Sequence, residues 1–311
     1  MKKMNRRGVE FQFAWIFAML VGMIILVLAI YAVTRIVQTE ETVVDASTAK
    51  EIGILLNPLE TGFESAKTTS LILPKETRIF NGCSNESFFG RQTIKISQKS
   101  FNKWTDTDID VGFSNKYIFS ENFTEGKKFL IFSKTFSMPF KVSDVVYLTS
   151  SEKKYCFIDA PMEISEELKN LNQENIIVGN DCPADSARIC FNTDFNCEAN
   201  INMASKYVDK SGKRMYFNDD TLMHAAIFSE PELYECQFKR LMMRWEQLSL
   251  IYGEKEGIIT KEGCSSNIRT DLIILGSRIG GIKNSFDLDP TLIQGIDDLR
   301  NKNGAASCKL W

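Results

Sequence analysis

An uncharged stretch near the N-terminus constrains this chain more than any other feature of its sequence. From Phe11 to Val33 it reads FQFAWIFAMLVGMIILVLAIYAV, in which Gln12 is the one amide and no side chain is charged. As an α-helix it would be about 34 Å long, which exceeds the roughly 30 Å hydrocarbon core of a bilayer. A secretory signal has a shorter apolar region and ends at a small-residue cleavage site, and we find none after Val33. We therefore predict a transmembrane helix over residues 11–36.

Charges on either side of this stretch predict its orientation. The basic residues that precede it are Lys2, Lys3, Arg6 and Arg7. The positive-inside rule then places residues 1–10 in the cytoplasm and the chain beyond residue 36 outside. Residues 1–36 carry five basic side chains and one acidic side chain, a charge of +4, so the net charge of −3 leaves −7 for the remainder. We expect a lipid bilayer as a partner and, because the exported part is acidic, no nucleic acid.

The cysteines indicate the compartment of the exported part. All eight lie beyond the apolar stretch, at positions 83, 156, 182, 190, 197, 236, 264 and 308. No Cys-x-x-Cys pair occurs and the chain has one histidine, so the usual zinc-ligand spacings are missing. An even number of cysteines in an exported region predicts disulfide bonds, which form in oxidising compartments.

Hydrophobic periodicity divides the exported part into regions. Residues 37–58 keep apolar side chains at helical intervals and predict a helical stalk, ended by Gly53 and Pro58. Residues 59–218 contain short β-branched and aromatic runs separated by turn residues, which predict a mainly antiparallel β region. Within it, the pattern also predicts a hairpin over residues 206–217.

The region 219–311 changes to a helical period. Ser229-Glu230-Pro231-Glu232 fits a capping box that begins a long helix, which we expect to end at Gly253. A second helix is predicted over residues 268–279, and Asp289 begins a third. Three helices with short linkers pack antiparallel. The predicted fold is therefore α+β, with an N-terminal transmembrane helix, a β-rich ectodomain and a C-terminal three-helix segment, stapled by disulfides.

This arrangement predicts two features of the disulfide pattern. If the three helices run up, down and up, Cys264 and Cys308 lie at the same end, and we predict a bond between them. Cys236 begins the first helix at the opposite end, so its partner should come from the β region. Cys190 and Cys197 are the nearest candidates in sequence.

The one histidine, His224, is the single candidate for catalysis. It follows Asp219 and Asp220, and a Ser-His-Asp or Cys-His arrangement could be assembled around it. A lone histidine between apolar residues is more often structural, and the two aspartates are expected to cap its helix. No phosphate-binding loop, dinucleotide-binding turn or zinc-protease motif occurs. We therefore predict no catalytic residue, cofactor or metal.

Three alternating carboxylates call for a comparison with calcium loops. Asp106, Asp108 and Asp110 share the spacing of the first three ligands of an EF-hand. Val111 stands where that loop needs its turn glycine, and Tyr117 replaces the closing glutamate. We interpret the segment as a solvated acidic turn.

The first residues of the chain carry a family resemblance. Arg6-Arg7-Gly8-Val9-Glu10, followed directly by the apolar stretch, resembles the class III signal segment of archaeal type IV pilin-like proteins. The resemblance implies cleavage by a membrane peptidase between Gly8 and Val9, with Arg7 as the preceding basic residue. Bacterial pilins carry a glutamate at the fifth mature position, whereas Glu10 would be second. RGVEFQFAWIF and the closing Cys308–Trp311 also look like uncharacterised single-pass archaeal membrane proteins.

These observations predict a membrane-anchored extracytoplasmic protein with a structural or binding role at the cell surface. Its expected partners are the bilayer and other membrane or surface proteins, or further copies of itself. One alternative is a pilin-like subunit, processed after Gly8 and assembled through its N-terminal helix. Another is an exported hydrolase that uses His224.

Overall fold

A computed structural model describes most of the chain, in the ranges 13–55, 67–86, 88–100, 102–105, 110–191, 196–264 and 266–311. For residues 37–55 it describes the backbone only. The predicted processing residues lie outside these ranges, namely Arg7, Gly8 and Val9. Asp106 and Asp108 of the acidic turn also lie outside them.

The N-terminal apolar segment forms one long helix. Helix α1 (Phe13–Leu55) has 43 residues, which corresponds to about 65 Å. Its stretch Trp15–Ile36 has a mean hydropathy of 2.9, and none of it is buried against the rest of the chain. The helix continues without a break through Gly53, so our expectation that Gly53 takes part in ending it is wrong. The helix is long and apolar enough to span a membrane.

The first β-sheet has seven strands and is largely antiparallel. Its order is β3-β2-β1-β6-β7-β5, with β4 also paired to β2. Only β5 and β7 pair in parallel among these strands as described. The strands are β1 (Lys67–Ser84), β2 (Arg91–Ser100), β3 (Lys103–Trp104), β4 (Val111–Phe113), β5 (Ile118–Phe119), β6 (Phe123–Ser137) and β7 (Lys141–Ser150).

The second sheet has six strands and is mixed, so it departs in part from the mainly antiparallel region that we predicted. Its order is β13-β12-β11-β10-β8-β9, and the four strands β9, β8, β10 and β11 run parallel. Parallel neighbours need a crossover, which helix α2 (Met162–Asn170) provides between β8 and β9. The strands are β8 (Tyr155–Ile158), β9 (Ile176–Val178), β10 (Ala187–Cys190), β11 (Ala199–Asn202), β12 (Tyr207–Lys210) and β13 (Lys213–Tyr216).

The hairpin predicted over residues 206–217 is present as β12 and β13. Two residues, Ser211 and Gly212, connect the strands, and their φ angles are +55° and +74°. Positive φ at both central residues is the geometry of a type I′ turn, whose twist matches that of the flanking strands.

Four helices follow the second sheet. They are α3 (Asp220–Phe228), α4 (Pro231–Lys261), α5 (Arg269–Gly280) and α6 (Pro290–Ala305). Helix α4 runs eight residues beyond Gly253, where we expected it to end. Gly253 is buried against α5, since a Cβ added there would lie 3.8 Å from side-chain carbons of Arg269 and Ile273. Gly253 therefore lies within α4 at its contact with α5, where a methyl group would also fit, and the sequence pattern alone does not distinguish such a glycine from a helix stop.

The helix caps agree with the predictions at two positions and differ at one. The carboxylates of Asp219 and Asp289 accept hydrogen bonds from the backbone N–H of Leu222 and Leu292, at 2.9 and 2.8 Å. The predicted capping box at Ser229 is wrong, because the Ser229 hydroxyl donates to the carbonyl of Ala225 in the preceding helix α3. A local four-residue pattern cannot tell the end of one helix from the start of the next.

A single main core joins the two sheets to the C-terminal helices. Phe132, Tyr147, Phe228 and Trp245 are all completely or almost completely buried in it. A smaller apolar cluster lies within the first sheet, with Ile79 at its centre. Each such buried side chain contributes about 1.5–3 kcal/mol. The core fixes the first sheet against the second, so that the edges and faces described below keep a constant geometry.

Candidate functional site

Four disulfide bonds cross-link the part of the chain that follows α1. They are Cys83–Cys236, Cys156–Cys182, Cys190–Cys197 and Cys264–Cys308. The bond between Cys264 and Cys308 is the one that the helix arrangement predicts. Cys236 pairs with the β region as expected, but neither Cys190 nor Cys197 is its partner.

The partner of Cys236 is Cys83, at the end of β1. Cys190 and Cys197 are only seven residues apart and are bonded to each other beside β10. The prediction failed because it ranked candidates by distance along the chain. The packing of α4 on the first sheet instead brings together two residues that are 153 positions apart.

A buried arginine lies one helical turn from this bond. Arg240 of α4 is completely buried. Its guanidinium donates to the carbonyls of Lys116 at 2.8 Å and Ser114 at 3.0 Å, and to that of Phe89 at 3.1 Å. It also lies 4.7 Å from the centre of the Tyr117 ring. Burial lowers the Arg240 pKa to about 10. Arg240 therefore links α4 to the loops at the end of the first sheet.

His224 lies in the core and not in a cleft. It is completely buried in α3, with the rings of Phe132, Tyr147 and Phe228 around it. Its Nδ1 atom is 3.5 Å from Nζ of Lys134, and Nε2 has no hydrogen-bond partner among the described atoms. Burial first, and the charge of Lys134 second, lower the His224 pKa well below 6.5. This imidazole is therefore neutral and enclosed by the side chains of the core.

Asp219 acts as a cap in an unfavourable environment. Its carboxylate is buried, and this burial raises its pKa from 3.8 to about 6, although the hydrogen bond from Leu222 and the charge of Lys134 act in the opposite direction. Lys134 itself forms an ion pair with Glu167 at 2.7 Å. Lys134 thus contacts Glu167 and His224, and its charge also acts on Asp219 at the start of α3.

The described residues contain no group of three or more His, Cys, Asp or Glu side chains arranged to hold a metal ion. Asp110, the one residue of the acidic turn that the structure describes, lies 3.4 Å from Nζ of Lys95. Its carboxylate is therefore engaged with a lysine of β2.

An acidic cleft lies where the two sheets meet. It has a volume of about 710 Å³ and is lined by the carboxylates of Glu121, Glu125, Glu152, Asp185, Glu198 and Glu230. Lys153 forms ion pairs with Glu121 and Glu198, and Lys154 is 3.0 Å from Asp185. Cations of the chain therefore already compensate much of this negative charge, and we interpret the cleft as a structural seam between the sheets.

A second cleft lies on one face of the first sheet, and we name it the sheet groove. It has a volume of about 560 Å³, and β1 and β2 form its floor through Arg78, Phe80, Thr93 and Lys95. Trp104, Thr105 and Asp110 form one wall. The groove combines aromatic rings with two cations, which is a composition typical of sites for polar, partly apolar ligands.

The Arg78 side chain is fixed in this groove by its neighbours. Its guanidinium carbon lies 4.0 Å from the centre of the Trp104 ring, and its Nε donates to Glu125 at 2.7 Å. Stacking and an ion pair together hold the planar guanidinium in one orientation.

Sequence reasoning missed both the sheet groove and Arg240. The run Thr93-Ile94-Lys95-Ile96-Ser97 alternates strictly, with Ile94 and Ile96 buried. This alternation signals that Thr93, Lys95 and Ser97 share an outer face. No comparable local pattern marks Arg240, because its carbonyl partners come from two loops that are distant in sequence.

Comparisons with protein-family models, with curated proteins and with solved structures gave no match. The function of this chain is therefore inferred from the geometry of the described residues.

Proposed function

We propose that this chain is a membrane-anchored extracytoplasmic protein with a binding or structural role at the cell surface. One observation carries the proposal. The 22 residues Trp15–Ile36 form a continuous apolar helix with no share of their surface buried in the chain. At about 1.5 Å per residue they extend about 33 Å, which matches the hydrocarbon core of a bilayer. In water this surface would be costly, at about 1.5–3 kcal/mol for each large apolar side chain.

Residues at the ends of this helix support the same interpretation. Trp15 and Tyr31 are 16 positions apart, or about 24 Å along the axis, and such aromatic residues favour the two membrane interfaces. Arg35 lies beside Tyr31, with its guanidinium carbon 5.8 Å from the ring centre. A basic side chain at this position can reach lipid headgroups.

The four disulfides support an exterior location. One bond links the first sheet to α4, two lie in the region of the second sheet, and one joins the segments that follow α4 and α6. Disulfides of this kind persist in oxidising compartments. The proposed ectodomain is thus the α+β part from β1 to α6, with the N-terminus in the cytoplasm.

Protease treatment of intact cells tests this topology. The full chain carries one epitope tag at its N-terminus and a different tag after Trp311. We expect an added protease to remove the C-terminal tag from intact cells, while the N-terminal tag becomes accessible only after the membrane is permeabilised. Recovery of the chain in the soluble fraction, or protection of the C-terminal tag, would refute the proposal.

One observation also favours the pilin-like alternative. Helix α1 continues without a break for 19 residues beyond Ile36, about 29 Å, before the chain reaches the β region. A long helix of which half projects from the bilayer is the shape that packing into a filament requires. N-terminal sequencing of the native protein separates the two proposals. Val9 as the first residue supports the pilin-like subunit, and an intact Met1 argues against it.

A variant makes the processing test sharper. Gly8→Leu should block cleavage and leave the full-length chain in the membrane, because the peptidase needs the small residue before the cut. Gly22→Ala is the matched control, since nothing lies within 4 Å of a Cβ added at Gly22. Equal N-termini in both variants would contradict processing after Gly8.

A further inference from the structure

We infer that the sheet groove binds a carboxylated sugar unit, such as a uronic acid, of a surface glycan. This inference names a ligand class for the proposed binding role, and it depends on that role for access to glycans outside the cell. The binding itself is a property of the folded chain and can be measured apart from its location.

The strand register builds the floor of the groove. Phe80 in β1 is paired with Lys95 in β2 and with Phe123 in β6, and the rings of Phe80 and Phe123 are 6.0 Å apart. Paired residues on neighbouring strands project from the same face of a sheet. The groove floor therefore presents an aromatic surface directly beside an ammonium group.

Arg78 lies two residues before Phe80 and therefore on the same face of β1. Arg78 is paired with Ser97 in β2 and with Glu125 in β6. Two residues beyond Phe80 along β1, Gly82 is paired with Thr93, and a Cβ added to Gly82 would lie 2.3 Å from the Thr93 hydroxyl oxygen. The absence of a side chain at Gly82 makes room for the Thr93 hydroxyl, which lies over this glycine and lines the groove.

The aromatic residues suit the apolar face of a pyranose. The face of an aromatic ring is negative and its attraction for weakly positive C–H groups is the basis of such stacking. Phe80 lines the groove and is only half-buried, so part of its ring is open to a ligand. The Trp104 ring carries the Arg78 guanidinium on one face and forms a side of the groove. An aliphatic ligand would leave the polar groups of this floor unsatisfied, whereas a sugar supplies hydroxyls to them.

Two cations identify the charge of the ligand. The ion pair with Glu125 uses the Nε atom of Arg78, and we assign its terminal nitrogens to a ligand carboxylate, which a guanidinium can bind in a bidentate manner. Among the described residues Lys95 forms an ion pair with Asp110, at 3.4 Å, and both side chains are more than 40% exposed. Exposed ion pairs are weak, so a ligand carboxylate can replace Asp110 at little cost.

Isothermal titration of the full chain in detergent tests the inference. The acidic probe is trigalacturonic acid, the neutral probe is maltotriose, and inorganic phosphate serves as a simple anion. We expect saturable binding of the acidic trisaccharide, at least tenfold weaker binding of maltotriose and no saturable binding of phosphate. Lys95→Gln should weaken the binding of trigalacturonic acid at least fivefold and leave that of maltotriose unchanged.

Matched variants distinguish binding at a specific site from a general attraction of the ligand to positive charge on the sheet. Lys128→Gln removes another exposed lysine of the same sheet, which is paired with Glu174 at 2.9 Å, and should leave every affinity unchanged. Trp104→Phe keeps an aromatic wall and should weaken both sugars by less than Trp104→Ala does. Near-ultraviolet circular dichroism confirms that each variant is folded.

Three results would overturn the inference. They are no saturable binding of trigalacturonic acid, equal effects of Lys95→Gln and Lys128→Gln, and phosphate binding as tight as that of the acidic sugar. None of them bears on the membrane topology, which the protease experiment tests separately.

Discussion

Arg240 shows how one buried side chain holds a helix on a sheet. Its donors satisfy three carbonyls from two loops, those of Phe89, Ser114 and Lys116. Arg240→Met keeps the length of the side chain and removes these donors. We expect the free energy of unfolding to fall by about 3–5 kcal/mol, because several backbone acceptors lose their hydrogen bonds together. Urea unfolding, followed by tryptophan fluorescence, measures the change.

Arg300→Met is the control for this variant. Arg300 is more than half exposed and pairs with Asp297 at 2.7 Å within one helical turn. Exposed pairs of this kind contribute at most about 1 kcal/mol. Equal losses in the two variants would show that Arg240 does not link α4 to the first sheet.

The raised pKa of Asp219 predicts an unusual pH dependence of the free energy of unfolding. Its folded-state pKa of about 6 exceeds its ordinary value of 3.8, so between these pH values the folded chain binds more protons than the unfolded chain. The stability contributed by this group is therefore complete below pH 3.8 and is lost as the pH rises to about 6. Asp219→Asn keeps a capping residue and abolishes the titration. We expect it to raise the free energy of unfolding at pH 7 by about 1–3 kcal/mol and to leave that at pH 3.5 nearly unchanged.

His224 provides an internal reference for that experiment. Its folded-state pKa lies well below 6.5, so the unfolded chain takes up a proton first as the pH falls. The stability that His224 contributes is present above pH 6.5 and is lost below it, which is opposite to the effect of Asp219. In Asp219→Asn this loss at acidic pH should remain. A variant whose stability at pH 7 falls below that of the wild type would contradict the assignment of Asp219.

At the level of secondary-structure elements, the disulfides differ greatly in the number of residues that they enclose. Cys83 and Cys236 are 153 residues apart, whereas Cys190 and Cys197 are seven apart. Loop-closure entropy predicts that the long connection stabilises the fold by about 5 kcal/mol and the short one by about 2 kcal/mol. We therefore expect Cys83→Ala with Cys236→Ala to lower the thermal midpoint by clearly more than Cys190→Ala with Cys197→Ala does.

Scanning calorimetry of the two double variants measures this difference. Each variant loses one bond and two sulfur atoms, so each is the control for the other. A larger loss from the short loop would mean that α4 is held on the first sheet by packing and by Arg240, with little contribution from the bond.

The elements that could be predicted from sequence are those with a complete local signal. The hairpin of β12 and β13 carries its turn residues at Ser211 and Gly212, and α6 carries its cap at Asp289. Gly253 gave the wrong end for α4, because its local pattern is the same for a helix stop and for a close helix contact.

The sheet groove could not be predicted because its parts become neighbours only through pairing. Arg78, Lys95 and Trp104 lie on three different strands, and the register between those strands depends on the whole sheet. The same reason explains the missed bond between Cys83 and Cys236. Local patterns predicted which faces are polar, and tertiary pairing determined which polar residues meet.

At the scale of the whole molecule, the proposed anchor and the disulfides depend on each other. The anchor delivers the ectodomain to the exterior, and only an oxidising exterior allows the four bonds to form and persist. A chain that fails to insert should therefore also fail to be oxidised, although every cysteine is far from the apolar helix in sequence. The redox state of the cysteines thus reports on the insertion of α1.

Ile25→Arg combined with Leu26→Arg tests this dependence. Both residues lie at the centre of Trp15–Ile36, where each arginine opposes insertion by about 2.5–3.5 kcal/mol. We expect the double variant to remain in the cytoplasm with all eight cysteines open to alkylation without prior reduction. In the wild type, alkylation should require reduction, because all eight cysteines are bonded. Mass spectrometry of the alkylated chains counts the thiols.

Ile36→Arg is the control, since it adds the same charge at the end of the apolar stretch, next to Arg35. An arginine there can reach the headgroups along its flexible side chain, so insertion and oxidation should proceed as in the wild type. If the double variant is exported and oxidised like this control, the apolar helix is not what carries the ectodomain out of the cell. If the wild type itself has eight free thiols, the exterior location of the ectodomain is refuted together with the anchor.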